Sequence, residues 1–129
     1  MPFVRVSYKE EQYNEKKLHL ISKNILDALI EEFDVPKKDY FQVFHSHKKE
    51  EFYFDKNYLL DKNRTEQLLY IQITCGSGRT REQKQSLYKK LNDKLFLNCK
   101  VAKENIFIVL LETELEDWSF GQGYAQMIL

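Results

Sequence analysis

The second residue of the chain is the first candidate for chemistry. Pro2 follows Met1 and opens the strand-like run PFVRVSY. A small residue after the initiator methionine favours removal of that methionine, and the terminal proline would then carry a secondary amine. A free α-amine titrates at about 7.7–8.0 in model peptides, and burial or a nearby cation lowers that value, so this amine could act as a general base. The structural alternative is that a sheet tolerates proline at the first residue of a strand.

A glycine-containing loop is the second candidate. It runs from Gly76 to Arg79, and Thr80 with Gln83 fits a capping box at the start of a helix. The unpaired N–H groups of that helix terminus and the forked guanidinium of Arg79 favour a carboxylate or phosphate site. A solvated arginine in a turn explains the same residues equally well. A nucleotide P-loop is excluded because its glycine and lysine spacing is absent.

The remaining candidates are weaker when each is taken alone. His45 and His47 would share one face of a strand, but no third ligand is near in sequence, so no metal site is predicted. Asp39 would be a turn residue by default. Trp118 and Phe120 could simply fill the core. No cofactor motif is present.

These residues lie on an internal repeat with an offset of about 66 residues. The segment VPKKDYFQVF at 35–44 aligns with VAKENIFIVL at 101–110, and the strand-like run at 2–8 aligns with LLYIQIT at 68–74. Between the members of each pair, apolar residues recur at helical spacing. They are Leu18, Ile21, Ile25, Leu29 and Phe33 in the first unit, and Leu87, Leu91 and Leu95 in the second. Each unit is therefore predicted to be strand, helix, strand.

Two such units predict an α+β fold. A strand–helix–strand crossover makes its two strands parallel and puts the helix on one face of the sheet. Tandem β-α-β units then give a four-stranded sheet with both helices on the same face. The other face would be bare and partly apolar, which favours either an oligomer or a covering tail.

The length suits a single domain over residues 1–129. Its predicted parts are the repeat units at 2–47 and 68–112, an extended arm rich in aromatic residues at 48–67, and a tail at 113–129. We expect the arm to pack on its own sheet or on that of a neighbouring subunit.

Composition excludes several classes of function. Twenty basic and twenty acidic residues cancel, so no nucleic-acid partner is expected. No apolar run is long enough for a membrane span, and the first residues lack the pattern of a secretion signal. Cys75 and Cys99 lack metal-type spacing and are expected to be reduced thiols in a cytoplasmic protein.

Three stretches together resemble one family. They are MPFVRVSY, VPKKDYFQ, and GRTREQKQSLYKKL together with the distant DWSFGQGYAQ. In these stretches the chain is similar to the tautomerase superfamily, in the branch of malonate semialdehyde decarboxylase. The resemblance extends over nearly the whole chain, and the third stretch is close to a signature of that branch.

The resemblance implies a role for each candidate residue. Pro2 would be the catalytic amino-terminal proline and Asp39 the active-site aspartate. Where the decarboxylase has an R-P-R-T pattern, this chain has Ser77-Gly78-Arg79-Thr80, so it keeps the second arginine and has serine in place of the first. Trp118 and Phe120 would form the aromatic wall of the pocket. The family is homotrimeric, which agrees with the bare sheet face.

The expected activity is keto–enol tautomerisation of a small 2-oxo or enol carboxylic acid, with Pro2 as base and the substrate carboxylate on Arg79. A protonated Pro2 would instead suit decarboxylation of a 3-oxo acid or hydration of an unsaturated acid. The alternative from a different class is a non-catalytic binding or signalling trimer on the same scaffold.

Overall fold

The computed structural model describes all residues from 1 to 129. Six main elements make up the fold: β1 (Phe3–Lys9), α1 (Glu15–Phe33), β2 (Gln42–His47), β3 (Leu69–Gly76), α2 (Arg81–Cys99) and β4 (Ile106–Thr113). Short 3₁₀ turns occupy parts of the arm, of the loop before β4 and of the tail. Neither long helix is apolar enough to cross a bilayer.

The strands form one mixed sheet in the order β2-β1-β3-β4. The two strands within each unit are parallel, as predicted, and β1 pairs with β3 in the antiparallel direction. The first residues of β1 and β2 therefore lie at the same end of the sheet as the last residues of β3 and β4. We call this end, where Phe3 pairs with Thr74 and Gly76 pairs with Thr113, the site end.

The internal repeat is confirmed at the level of single residues. Both helices have 19 residues and their boundaries differ by 66 positions. Each is capped by the residue that follows it, which has left-handed backbone: Asp34 at φ 55° and Lys100 at φ 58°. The N–H groups of these residues bond to the carbonyls of Leu29 and Leu95, which are also 66 positions apart. The capping box of Thr80 and Gln83 starts α2 as predicted.

The second strand of each unit begins later than the sequence repeat indicates. In 35–44 and 101–110, regular pairing starts only at Gln42 and at Ile106. A turn precedes each strand, because the Asp39 N–H bonds to the Pro36 carbonyl at 2.9 Å and the Asn105 N–H bonds to the Ala102 carbonyl, also at 2.9 Å. These turns carry the chain from the helix layer to the sheet. They leave Asp39 before its strand, at the site end.

Both helices pack on the same sheet face, as predicted, and the core lies between them and the sheet. The side chains involved are apolar and 0–1% exposed; they include Val4, Val6, Ile71 and Ile73 from the strands, and Ile21, Ile25, Leu29, Leu87, Leu91 and Leu95 from the helices. Burial of each side chain of this size stabilises a fold by about 1.5–3 kcal/mol. The core therefore holds the strand ends, and the loops that continue them, in fixed positions.

The opposite sheet face is partly covered by the arm. Phe52 is only 7% exposed, and its ring lies 5.2 Å from that of Tyr70 and 5.9 Å from that of His47. This contact lies at the end of the sheet away from the site end. The rest of the face remains open, with Val109 and Leu111 each more than 40% exposed.

Candidate active site

The start of the chain lies against Asp39. Pro2 is buried. The amino group of Met1 lies 2.9 Å from Oδ2 of Asp39, and the two side chains are 9% and 15% exposed. The nitrogen atoms of Met1 and Pro2 are separated by three covalent bonds, so the Pro2 nitrogen is within about 7 Å of this carboxylate. The other carboxylate oxygen, Oδ1, is buried without a hydrogen-bond partner.

The second repeat unit contains a neutral counterpart of this pair. Asn105, the repeat partner of Asp39, accepts a 2.8 Å bond from the Thr65 N–H and donates one of 2.8 Å to the Thr65 hydroxyl. Thr65 also precedes the first strand of its unit. In the second unit, this turn position carries the amide of Asn105, which faces the uncharged backbone and hydroxyl of Thr65. In the first unit, it carries the carboxylate of Asp39, which faces the ammonium of the chain terminus. This match indicates that Asp39 is suited to a cationic partner.

Arg79 is held by backbone carbonyl groups. Its Nη1 donates to the Gly76 carbonyl at 3.0 Å and its Nη2 to the carbonyl of Phe33, the last residue of α1, at 3.2 Å. The guanidinium also lies over the Phe33 ring, 4.6 Å from the centroid. An arginine has five N–H donors, so three are not used by these two bonds. Arg79 therefore fastens α1 to the loop and keeps donors for a carboxylate.

Ser77 is fixed beside the end of β4. Its N–H bonds to the Thr113 carbonyl at 2.8 Å. Its hydroxyl lies 3.3 and 3.4 Å from the two carboxylate oxygens of Glu114. A carboxylate can only accept, so the single proton of this hydroxyl is directed at Glu114. That proton is not available to a substrate carboxylate while the contact with Glu114 lasts.

The aromatic wall is assembled on the last residue of β4. The Trp118 indole N–H donates to the Thr113 hydroxyl at 2.6 Å. The rings of Trp118 and Phe120 are stacked, with centroids 5.6 Å apart and an angle of 11° between the planes. Phe120 in turn lies 6.0 Å from Phe41, two residues after Asp39. The tail therefore reaches across the site end from β4 to the start of β2.

The loop backbone and a buried thiol complete the surroundings of the terminus. A Cβ on Gly76 would lie 2.7 Å from Cε of Met1, so glycine makes room for the first residue. Burial raises the pKa of the Cys75 thiol, and the positive charges of Arg79 and the chain terminus act in the opposite direction. The guanidinium of Arg79 and the terminal ammonium are therefore both close enough to Cys75 to influence its thiol, which places the chain terminus and the Arg79 loop on the same side of the sheet end.

All six residues predicted for the site lie at the site end: Pro2, Asp39, Ser77, Arg79, Trp118 and Phe120. The roles assigned to them remain predictions. Sequence reasoning missed Thr113, Glu114 and Phe41, because a hydroxyl, an acid and a phenyl ring at the ends of strands carry no pattern that marks them.

The two histidines lie elsewhere. His45 and His47 are on β2, with rings 6.4 Å apart on the sheet face opposite the helices, where the ring of His47 lies under Phe52 of the arm. Nε2 of His45 is 3.2 Å from Nη1 of Arg5. No group of three or more His, Cys, Asp or Glu side chains in the chain is arranged to hold a metal ion.

The chain is similar to known tautomerases. A family model described as "Tautomerase enzyme" matches residues 39–121. A probable tautomerase of Bacillus subtilis (strain 168), YusQ, is 42% identical over 128 residues, with 99% of each chain covered. A second probable tautomerase of that organism, YrdN, is 33% identical over 130 residues, covering 99% of this chain and 97% of the relative.

Solved structures with the same fold include one of malonate semialdehyde decarboxylase inhibited by 3-bromopropiolate. It has a TM-score of 0.90 and 27% identity, covering 98% of this chain and 94% of the other. A fused 4-OT described as a symmetric trimer has a TM-score of 0.77 and 14% identity, with 98% of each chain covered. The four-stranded sheet with two helices is thus shared with these proteins.

Proposed function

The chain belongs to the tautomerase family and is an enzyme of that family, and we propose that it catalyses keto–enol tautomerisation of a small 2-oxo carboxylic acid with Pro2 as the base. The proposal requires removal of Met1, because the Pro2 nitrogen in a peptide bond has no basic lone pair. Once Met1 is removed, the terminal group of the chain is a secondary amine in a largely buried position.

The observation that supports this proposal most directly is the contact between the terminal ammonium and Asp39. A half-buried carboxylate that pairs with the terminal amino group at 2.9 Å when Met1 is present remains close to the new terminus after that one residue is removed. Asp39 would then stabilise Pro2 after it has taken up a proton, because an adjacent opposite charge favours the charged form.

The reaction needs only one proton to move between two atoms of the substrate. In the direction from ketone to enol, Pro2 removes a proton from the carbon next to the carbonyl, and the electron pair of that C–H bond forms the carbon–carbon double bond. The carbonyl oxygen takes up the proton as the enol hydroxyl. The reverse direction returns a proton from Pro2 to carbon, so no cofactor is required.

Binding is assigned to Arg79 and the aromatic wall. The unused N–H donors of Arg79 suit a carboxylate, and the wall formed by Trp118 and Phe120 suits an apolar substituent at the other end of a small acid. Ser77 would lie beside the bound carboxylate, with its proton directed at Glu114. This arrangement supports orientation of the substrate by one guanidinium.

Decarboxylation of a 3-oxo acid or hydration of an unsaturated acid is the second candidate. The similarity to malonate semialdehyde decarboxylase favours it. Ser77 argues against efficient decarboxylation, because the carboxylate must be held with its breaking bond aligned to the carbonyl π system. One arginine holds that angle less firmly than two, and small misplacements can cost about a hundredfold in rate.

We also propose that the protein is a homotrimer. The open sheet face exposes apolar side chains that an assembly would cover: Val43, Phe107, Val109 and Leu111 are each 36–45% exposed. The trimeric state of the fused 4-OT supports the same arrangement. Sedimentation at micromolar concentration tests it, and a monomer under those conditions would contradict it.

The test of function is an assay of Met1-free protein, verified by intact mass, against a panel of acids. Turnover of phenylenolpyruvate supports the tautomerase, and acetaldehyde formed from malonate semialdehyde supports the decarboxylase. A correctly processed trimer that turns over neither compound would favour a non-catalytic binding or signalling protein instead.

A further inference from the structure

We propose that Thr113 is a positioning residue that holds the indole of Trp118 in place and thereby gives the site its preference for acids with an aromatic substituent. The inference rests on the proposed function, in that it takes the wall formed by Trp118 and Phe120 to contact that substituent. It adds a residue that acts on the substrate only through Trp118.

The chain turns back on itself between Thr113 and Trp118. The Asp117 N–H bonds to the Glu114 carbonyl at 3.1 Å, and the Asp117 carboxylate accepts from the Glu114 N–H at 2.8 Å. These two bonds close a 3₁₀ turn over Leu115–Asp117, directly after β4. The turn brings the indole back to the end of β4, where its N–H donates to the Thr113 hydroxyl at 2.6 Å.

The hydroxyl of Thr113 is oriented to receive the indole. Its single proton is donated to the Cys75 carbonyl at 3.2 Å, which leaves its lone pairs for the indole N–H. An indole can only donate, so the two groups are complementary. Both side chains are half-buried, and the indole N–H has no other partner in the structure. Leaving a buried donor without an acceptor is unfavourable, so loss of the hydroxyl should release the ring from this position.

Thr113 is also bonded to both residues that flank Gly76. Its hydroxyl donates to the Cys75 carbonyl, and its own carbonyl accepts from the Ser77 N–H at 2.8 Å. The Gly76 carbonyl between them accepts from Nη1 of Arg79 at 3.0 Å. The indole and the guanidinium are therefore attached to the same short stretch of chain, and Thr113 fixes the position of one relative to the other.

The rest of the wall depends on Trp118. Phe120 stacks on the indole, and Phe41 contacts Phe120 from the other side. These two phenyl rings are 37% and 48% exposed, so the core does not hold them. The Phe120 N–H bonds to the side chain of Gln126, which belongs to the tail itself. The bond between Trp118 and Thr113 is therefore the hydrogen bond that joins these rings to the sheet.

The experiment removes the hydroxyl and keeps the shape of the side chain. Thr113→Val can neither donate nor accept, whereas Thr113→Ser keeps the hydroxyl. The matched control is Thr74→Val on the neighbouring strand, where the threonine is also half-buried and its hydroxyl forms no hydrogen bond in the structure. Trp118 is the only tryptophan, so NMR of the Met1-free protein gives one indole N–H signal, and its exchange with D₂O is the first measured quantity.

The second measured quantity is the preference for an aromatic substituent. Propionate and 3-phenylpropionate are inert acids that differ by one phenyl ring, and their dissociation constants follow from the shifts of the amide signals without any need for turnover. A change in the overall stability of the protein would affect both acids alike, so the ratio of the two constants reports the position of the wall. One hydrogen bond corresponds to about a two- to tenfold change in such an equilibrium.

We expect Thr113→Val to speed exchange of the indole proton about tenfold and to lower the preference for 3-phenylpropionate about fivefold. Thr113→Ser should keep most of both properties, and Thr74→Val should change each less than twofold. An unchanged exchange rate or an unchanged ratio in Thr113→Val, or an equal effect of either other variant, would overturn the inference. Thr113→Ala makes the same test if the valine variant does not fold.

Turnover of phenylenolpyruvate by the unchanged protein, measured separately, decides the proposed function. Turnover with an unchanged ratio in Thr113→Val refutes only the positioning role. A changed ratio without turnover refutes only the tautomerase. Failure of both acids to bind the unchanged protein refutes the carboxylate site on which both proposals depend.

Discussion

Replacement of Arg79 by alanine should have two separable effects, because this side chain has both a structural and a proposed binding role. The structural part comes from two hydrogen bonds to carbonyl groups, at 3.0 and 3.2 Å, and from the contact with the Phe33 ring. A bond from a charged donor contributes about 1.5–3 kcal/mol. Taking the lower end for this half-buried group, we expect a loss of about 3 kcal/mol, or roughly 10 °C in Tm for a domain of this size.

The binding part should appear in the choice of substrate. Loss of a guanidinium–carboxylate contact of about 1.5–3 kcal/mol lowers kcat/KM about 10- to 150-fold. An ester of the same enol carries no charge, so Arg79→Ala should lower its turnover far less. The assay compares phenylenolpyruvate with its ethyl ester on Met1-free protein, at a temperature well below the Tm of the variant.

Two controls separate these roles. Arg81→Ala removes the next arginine in the chain, the first residue of α2, which is exposed and forms no ion pair, and should leave both Tm and the acid-to-ester ratio nearly unchanged. Arg79→Lys keeps the charge but loses the fork, so it should retain part of the preference for the acid. Equal losses on acid and ester in Arg79→Ala would refute carboxylate binding and leave Arg79 as a residue that supports the loop or tunes Pro2.

Three further outcomes are expected. In the chain that retains Met1, Asp39→Asn should lower the free energy of unfolding in urea by about 2 kcal/mol, because the terminal ammonium loses its charged partner. A urea unfolding curve with the same midpoint and slope as that of the unchanged protein would contradict a stabilising ion pair between the terminus and Asp39. Burial raises the pKa of both Cys75 and Cys99, which lowers the fraction of each thiol that is ionised at neutral pH. Neither cysteine should therefore react with a disulfide reagent in the native protein, and both should react after unfolding. Rapid modification of the native protein would show that the core opens. Ser77→Arg should raise decarboxylation of malonate semialdehyde, and more so when combined with Glu114→Gln, because the new arginine would otherwise pair with Glu114; efficient decarboxylation by the unchanged chain would show that one arginine suffices.

The repeated unit was predictable because its signals are local. Helical spacing of leucine and isoleucine, the Thr80 capping box and the 66-residue offset all depend on neighbours within a few residues, and they specified both helices and the pairing of parallel strands. The late start of β2 was not predictable from the repeat, since Asp39 and Asn105 align inside an apparently strand-like segment. The interpretation of Asp39 as a turn residue is confirmed by its bond back to Pro36, and the bond of Asn105 back to Ala102 shows the same turn in the second unit.

The candidate site was predictable only in its membership. Pro2 and Arg79 were candidates from their residue types and positions, resemblance to a family added Asp39, and the topology brings all three to one end of the sheet. The contacts of Arg79 with Phe33, which lies 46 residues away, and of Ser77 with Glu114, 37 residues away, depend on how the two units pack. Such contacts leave no local pattern in the sequence.

The most direct test of the central claim is the kcat/KM for phenylenolpyruvate, measured on preparations in which the fraction of Met1-free chain is known from intact mass. If the Pro2 amine is the base, activity should rise in proportion to that fraction, and Met1-free Pro2→Ala protein with an intact fold should lose most of it. Equal activity in chains with and without Met1, or an unchanged rate in Pro2→Ala, would contradict the account.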